Sequence, residues 1–130
     1  MLLCMNIIAI AAAAAFNLVC SGTEWAGTKP ADKDPYNKAT GKPFTDTYRV
    51  NLERGRWCFN TCDTTSPIQQ ADEANILLDS ATDPDLKSGR LIRVSRETGQ
   101  LVHRVAIGDY AFIRIGKCEA GPFTSFPKKF

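Results

Sequence analysis

Residues 90–118, RLIRVSRETGQLVHRVAIGDYAFIRIGKC, constrain this chain more than any other stretch. Three runs rich in β-branched and aromatic side chains are divided by two short turns. One turn holds Glu97, Thr98 and Gly99, the other Gly108 and Asp109. Runs of this kind with such turns form a three-stranded antiparallel meander, because parallel neighbours need far longer connections. In its middle strand Leu101, His103, Val105 and Ile107 share one face, and Val102, Arg104 and Ala106 share the other. Both faces are partly apolar. One is expected to meet a core, the other a partner, a loop or the tail.

The pattern recurs upstream. Over 45–53, Tyr48, Val50 and Leu52 point one way, and Thr47, Arg49, Asn51 and Glu53 the other. That is a half-buried antiparallel strand. Glu53, Arg54 and Gly55 repeat the Glu-x-Gly order of Glu97 to Gly99. In both, the glycine supplies the positive φ that closes a tight turn. The chain then returns through Arg56, Trp57, Cys58 and Phe59. A first strand over 16–21 places Phe16, Leu18 and Cys20 on one face. Residues 22–43 are polar and broken by Gly27, Pro30, Pro35, Gly41 and Pro43, which reads as a loop. Two short strands are expected over 67–80, with a helix over 68–78 as the alternative. Residues 80–89 read as a polar loop, and the proline-bearing tail from Pro122 is extended. The expected class is all-β: a small antiparallel meander, sandwich or partly closed barrel of about eight short strands.

Residues 1–15 are apolar, without Lys, Arg, Asp or Glu, and end on Ala13, Ala14 and Ala15. A bilayer span takes roughly 20 residues, so this stretch reads as a signal peptide, although its basic n-region is missing. A buried N-terminal helix is the alternative. Cleavage after Ala15 leaves 16–130 as a single disulfide-braced β-domain, periplasmic or secreted. Asn17 and Val19 depart from the pattern that precedes a lipidated cysteine, so no lipid anchor is expected on Cys20. The remaining cysteines are Cys20, Cys58, Cys62 and Cys118. An even count in an exported chain fits two disulfides. The C-x3-C spacing favours Cys58 with Cys62, leaving Cys20 with Cys118 to join the first strand to the last.

Several of these segments occur together in a recognisable set. They are Cys20-Ser21-Gly22-Thr23, Tyr48-Arg49-Val50-Asn51-Leu52, Arg56-Trp57-Cys58 with Cys62, Arg96-Glu97-Thr98-Gly99, and Gly116-Lys117-Cys118 followed by Pro122-Phe123 and Phe126-Pro127. The chain resembles, through them, a group of small exported proteobacterial proteins of unknown function. It departs at Ser95, where Asn is usual. The resemblance implies export and a mature protein that retains Cys20. It implies no activity and no functional residues.

The chemistry-bearing residues point away from catalysis. The chain has one histidine, His103, in mid-strand beside apolar neighbours, and its cysteines are assigned to disulfides. No metal-ligand spacing, haem motif, redox C-x-x-C or phosphate loop is present, so neither cofactor nor metal is expected. Asp79, Asp83 and Asp85 do not fit a calcium loop, which Pro84 would interrupt. With 16 basic and 14 acidic residues, the charge is too even to imply nucleic acid as a partner. Arg90, Arg93, Arg96, Arg104 and Arg114 make the meander basic, but a spacing of three splits Arg90 and Arg93 across opposite faces. The expected function is a non-catalytic binding or interaction module of the cell envelope. Its partner would be an envelope or extracellular protein, a glycan or a small ligand, met without a membrane span. The alternative is a small exported inhibitor or a lipocalin-like carrier. Candidate contact residues are Trp25, Trp57, Tyr110 and Arg114.

Overall fold

The computed structural model describes residues 14–28, 41–83, 85 and 88–126. Among them there is no helix, and so none long and apolar enough to cross a membrane. The strands are β1 (Ala15–Thr28), β2 (Lys42–Asn51), β3 (Arg56–Phe59), β4 (Ser66–Pro67), β5 (Gln70–Ala71), β6 (Asn75–Asp83), β7 (Ser88–Ser95), β8 (Gln100–Ile107) and β9 (Tyr110–Gly121). All nine pair antiparallel in one sheet of order β4-β3-β2-β1-β9-β8-β7-β6-β5. The fold is a single curled half-barrel rather than two stacked sheets.

The topology explains the curl. β1 to β4 form one chain-ordered meander and β5 to β9 another. They join where β1 lies against β9, from Asn17↔Gly121 to Thr28↔Tyr110. The two edge strands, β4 and β5, are separated in the chain only by Ile68 and Gln69. Ile68 N–H donates to the Gly55 carbonyl beside β3, and Gln69 N–H to the Leu77 carbonyl of β6. The chain therefore steps directly from one edge of the sheet to the other. A flat sheet cannot bring its edges so close, so the natural twist is drawn into a half-barrel.

Alternate side chains fill the concave side. Phe16, Leu18 and Cys20 from β1 meet Phe44, Tyr48 and Val50 from β2, Trp57 from β3, Ile76 and Leu78 from β6, Ile92 and Val94 from β7, and Leu101 from β8. Each such aliphatic side chain contributes about 1.5–3 kcal/mol on burial. Both disulfides are present. Cys20 and Cys118 face each other in the β1/β9 ladder, and Cys58 bonds Cys62 four residues on. The second bond holds Cys62 at φ +60, while Asn60 takes φ +48. Asn tolerates that region, whereas Cys there costs about 1 kcal/mol or more. The glycines at 55 and 99 have φ +66 and +77, as their turns require.

Some boundaries differ from those the sequence suggests. β1 runs on to Thr28 and β2 begins at Lys42, so much of the expected loop over 22–43 is strand; residues 29–40 lie outside the described residues. The polar side chains there hide a strand whose length is set by its partner β9. The expected loop over 80–89 is likewise paired as far as Asp83↔Ser88. A bulge between Leu77 and Asp79 breaks the alternation that would have revealed this. No helix forms over 68–78. Instead the Asp72 carboxylate accepts the Ala74 and Asn75 N–H groups at 2.8 and 2.7 Å and turns the chain into β6. The leader expected over 1–15 lies outside the described residues except for Ala14 and Ala15. The tail crosses the convex side of β1 and β2: Asn17 Nδ2 donates to Thr124 Oγ1 and Arg49 Nη1 to the Ser125 carbonyl. Phe123 and Phe126 pack edge to face on one another.

Candidate functional site

Read along its inward face, β1 sets out the interior: Phe16 and Leu18, then Cys20, Gly22 and Glu24. Each marks a level of the half-barrel with a different character. At the Glu24 level the register places Arg114 of β9 directly opposite Glu24, with His103 of β8 on its other side. Arg114 Nε donates to Glu24 Oε2 at 2.8 Å and Nη1 to Asp46 Oδ2 at 2.6 Å. Asp46 is on β2, so this second bond reaches across β1. It can do so because Gly22 and Gly116 face each other there. A Cβ on Gly22 would meet the Ile115 carbonyl oxygen, and one on Gly116 would meet the Ser21 carbonyl oxygen and approach the Phe44 ring. The cleared space lets the Arg114 guanidinium sit 5.5 Å from the Phe44 ring centre, 5.9 Å from Phe59 and 4.7 Å from Phe112.

Tyr48 and His103 complete this end. Tyr48 Oη and His103 Nδ1 share a hydrogen bond of 2.9 Å. Burial, reinforced by the Asp46 carboxylate, raises the Tyr48 pKa far above the usual phenol range. Burial, with the Arg114 charge, lowers the His103 pKa below its ordinary value. Both groups are therefore neutral at neutral pH. Tyr48 is wholly covered at 0% exposure, so no solute reaches its hydroxyl. The Arg114 charge is met by two carboxylates, one of them buried. This constellation is arranged to hold the wall of the half-barrel together.

The opposite end is apolar and hollow. Phe16, Leu18, Ile76, Val94, Cys118 and Ala120 line a cavity of about 650 Å³ that opens to solvent. The β7–β8 turn, Ser95 to Gly99, and the backbone between Cys118 and Ala120 complete its lining. The turn is tied in place: Thr98 N–H donates to Ser95 Oγ, Gly99 N–H to the Ser95 carbonyl and Cys118 N–H to the Gly99 carbonyl. The volume is that of a small-molecule pocket.

The four candidate contact residues are not brought together. Trp25, 7% exposed, lies on the convex side of β1 opposite Ile113, with Gly41 against its indole. Trp57, 8% exposed, is in the core, and its indole N–H has no acceptor among the described residues. Tyr110 is 46% exposed at the β8–β9 hairpin, where it borders an open groove of about 550 Å³ with Arg90 and Arg104. Arg114 is inside. Arg90 is paired with Asp79 at 2.7 Å. No group of three or more metal-ligating side chains is assembled among the described residues. Sequence reasoning missed the cavity residues as a set. The shared face of Phe16, Leu18 and Cys20 was the one visible sign of them, because the other walls come from strands far along the chain. Compared with protein-family models, with characterised proteins and with solved structures, the chain matches none.

Proposed function

We propose that this chain is an exported, non-catalytic binding domain that carries a small, largely apolar molecule in the cavity between Phe16 and Val94. The observation that carries this reading is the cavity itself: about 650 Å³, open to solvent, with largely apolar walls. Such a volume would hold a ligand of drug or lipid-fragment size. Supporting export are two disulfides, which persist in oxidising compartments, and the apolar leader with its Ala13 to Ala15 pattern. Supporting a holding role over a chemical one is the state of the titratable residues nearest the core. His103, Tyr48 and Arg114 are engaged with one another or with carboxylates. The inhibitor alternative draws less support, since β6 and β7 pair to Asp83↔Ser88 and leave only a short tip to insert into a partner.

The test uses oxidised protein and the neutral fluorophore N-phenyl-1-naphthylamine. Saturable fluorescence enhancement is expected, with NMR shifts centred on the methyls of Leu18, Ile76 and Val94. Ala120→Phe fills the cavity and should abolish the signal while the far-UV spectrum is kept. Absence of saturable binding, or shifts centred on Tyr110 and Arg104 instead, would overturn the reading.

A further inference from the structure

We infer that the cavity takes a short extended apolar peptide, which pairs with β9 at Ala120 and sends one large side chain inward. The inference rests on the binding reading above and names the ligand class for that same cavity. β9 outruns its partner on one side. Toward β1 it is paired as far as Asn17↔Gly121, but toward β8 the ladder ends at Gln100↔Lys117. One further bond follows there, from Cys118 N–H to the Gly99 carbonyl. Gly99 already belongs to the β7–β8 turn and gives its own N–H to the Ser95 carbonyl. Backbone groups alternate sides along a strand, so Ala120, two residues after Cys118, also directs its N–H and C=O toward the β8 side. The 3.9 Å between the Cα atoms of Cys20 and Cys118 agrees. Opposed residues this close are pairs that do not bond each other, and Leu18↔Ala120 is the next pair of that kind. Neither backbone group of Ala120 has a hydrogen-bond partner among the described residues. From Pro122 the tail turns the other way, toward Asn17 and Arg49.

This bare edge borders the cavity, whose lining includes both the backbone between Cys118 and Ala120 and the turn Ser95 to Gly99. A ligand residue opposite Ala120 in antiparallel register accepts the Ala120 N–H and donates its own N–H to the Ala120 carbonyl. Opposed residues of a sheet send their side chains to the same face. The face of Ala120 is that of Leu18, so the ligand side chain enters among Phe16, Leu18, Ile76 and Val94. A parallel strand would need the Cys118 carbonyl instead, and Gly99 crowds it: a Cβ there would stand 2.8 Å from the oxygen. A donor and an acceptor left bare beside apolar walls favour a ligand that brings their complements at peptide spacing. A plain hydrocarbon would cover both groups without pairing them.

The experiment is displacement of N-phenyl-1-naphthylamine by the capped peptide acetyl-Val-Phe-Val-amide and by two analogues, N-methylated at the phenylalanine or at the first valine. The unmethylated peptide should displace the fluorophore. Methylation at the phenylalanine removes the donor to the Ala120 carbonyl and should weaken displacement about tenfold. The first valine N–H faces away from β9, so methylation there should leave displacement nearly unchanged. With the unmethylated peptide bound, the Ala120 amide hydrogen should exchange more slowly. Ala120→Pro removes that N–H without breaking a bond of the β1/β9 ladder, and should keep the fluorophore while losing the peptide. Fluorophore binding without displacement by the peptide would overturn the inference and leave the cavity reading standing. So would equal displacement by the two methylated analogues, or stronger displacement by the one methylated at phenylalanine. Failure of the fluorophore to bind would overturn both.

Discussion

Gly22 and Gly116 carry more of this structure than their size suggests. They face each other across β1 and β9, and the room they leave is what allows Arg114 to cross to Asp46 and Phe44. Gly22→Ala would put a methyl group onto the Ile115 carbonyl. A loss of about 1–3 kcal/mol is expected, read as a lower midpoint in urea; an unchanged midpoint would show that the strands can part freely there. Arg114→Ala should cost about 3–5 kcal/mol, because it strands the Asp46 carboxylate, 5% exposed, with Asn60 Nδ2 at 3.5 Å as its remaining side-chain partner among the described residues. The double variant Arg114→Met, Asp46→Leu should recover most of that loss. If it does not, the ion pair contributes through something other than charge.

His103 adds a pH dependence. Burial and Arg114 lower its pKa in the folded protein below the ordinary 6.5, against the opposing pull of Asp46 and Asp79. The unfolded chain thus takes up the proton first. This contribution to stability is complete above pH 6.5 and is lost as pH falls from there through the folded-state value. The imidazole proton shifts of the one histidine should titrate below 6.5. The fall in melting temperature from pH 7.5 toward 5.5 should be smaller in His103→Gln.

At the scale of elements, the pairing of β1 with β9 is the one that joins the two meanders. Every other ladder links strands that follow one another in the chain. Cys20–Cys118 lies within this non-local ladder and closes a loop with a sequence separation of 98 residues. In the chain-entropy account a loop of that size is worth about 4.7 kcal/mol, and a ring as small as that of Cys58–Cys62 about 2 kcal/mol. Cys20→Ser with Cys118→Ser should therefore destabilise more than Cys58→Ser with Cys62→Ser. In the first variant, hydrogen exchange should quicken most along β1 and β9. Equal losses in the two variants would mean that the ladder holds without its bond.

For the whole molecule, the half-barrel offers two ends with different properties. One is closed by Tyr48, His103 and the ion pairs of Arg114, the other open over Phe16 and Leu18. A ligand that binds only the folded state raises stability by mass action, by about 2.7 kcal/mol at a concentration one hundred times its dissociation constant. N-phenyl-1-naphthylamine should accordingly raise the melting temperature in proportion to the logarithm of its concentration. Ala120→Phe should be insensitive to it. A shift shared by both proteins would place the binding elsewhere.

What the amino-acid order determines alone is local. The meander β7 to β9, the strand around Tyr48 and Val50, and the turns at Gly55 and Gly99 follow from period-two alternation and from positions that need positive φ. These signals are contained within a few residues. The pairing of Cys58 with Cys62 is of the same kind. The tertiary structure decided what depends on register between distant strands: the extension of β1 through its polar half, the curl set by β4 and β5, and the level at which Gly22 meets Gly116. It also decided that Arg114 and Trp57 face inward while Tyr110 stays outside. A shift of one residue in the β1/β9 ladder would send every side chain of one strand to the other face. Side-chain pattern alone cannot choose among such registers when both faces are partly apolar. The cavity exists only in the one chosen, because Phe16 and Leu18 come from one meander and Ile76, Val94, Cys118 and Ala120 from the other.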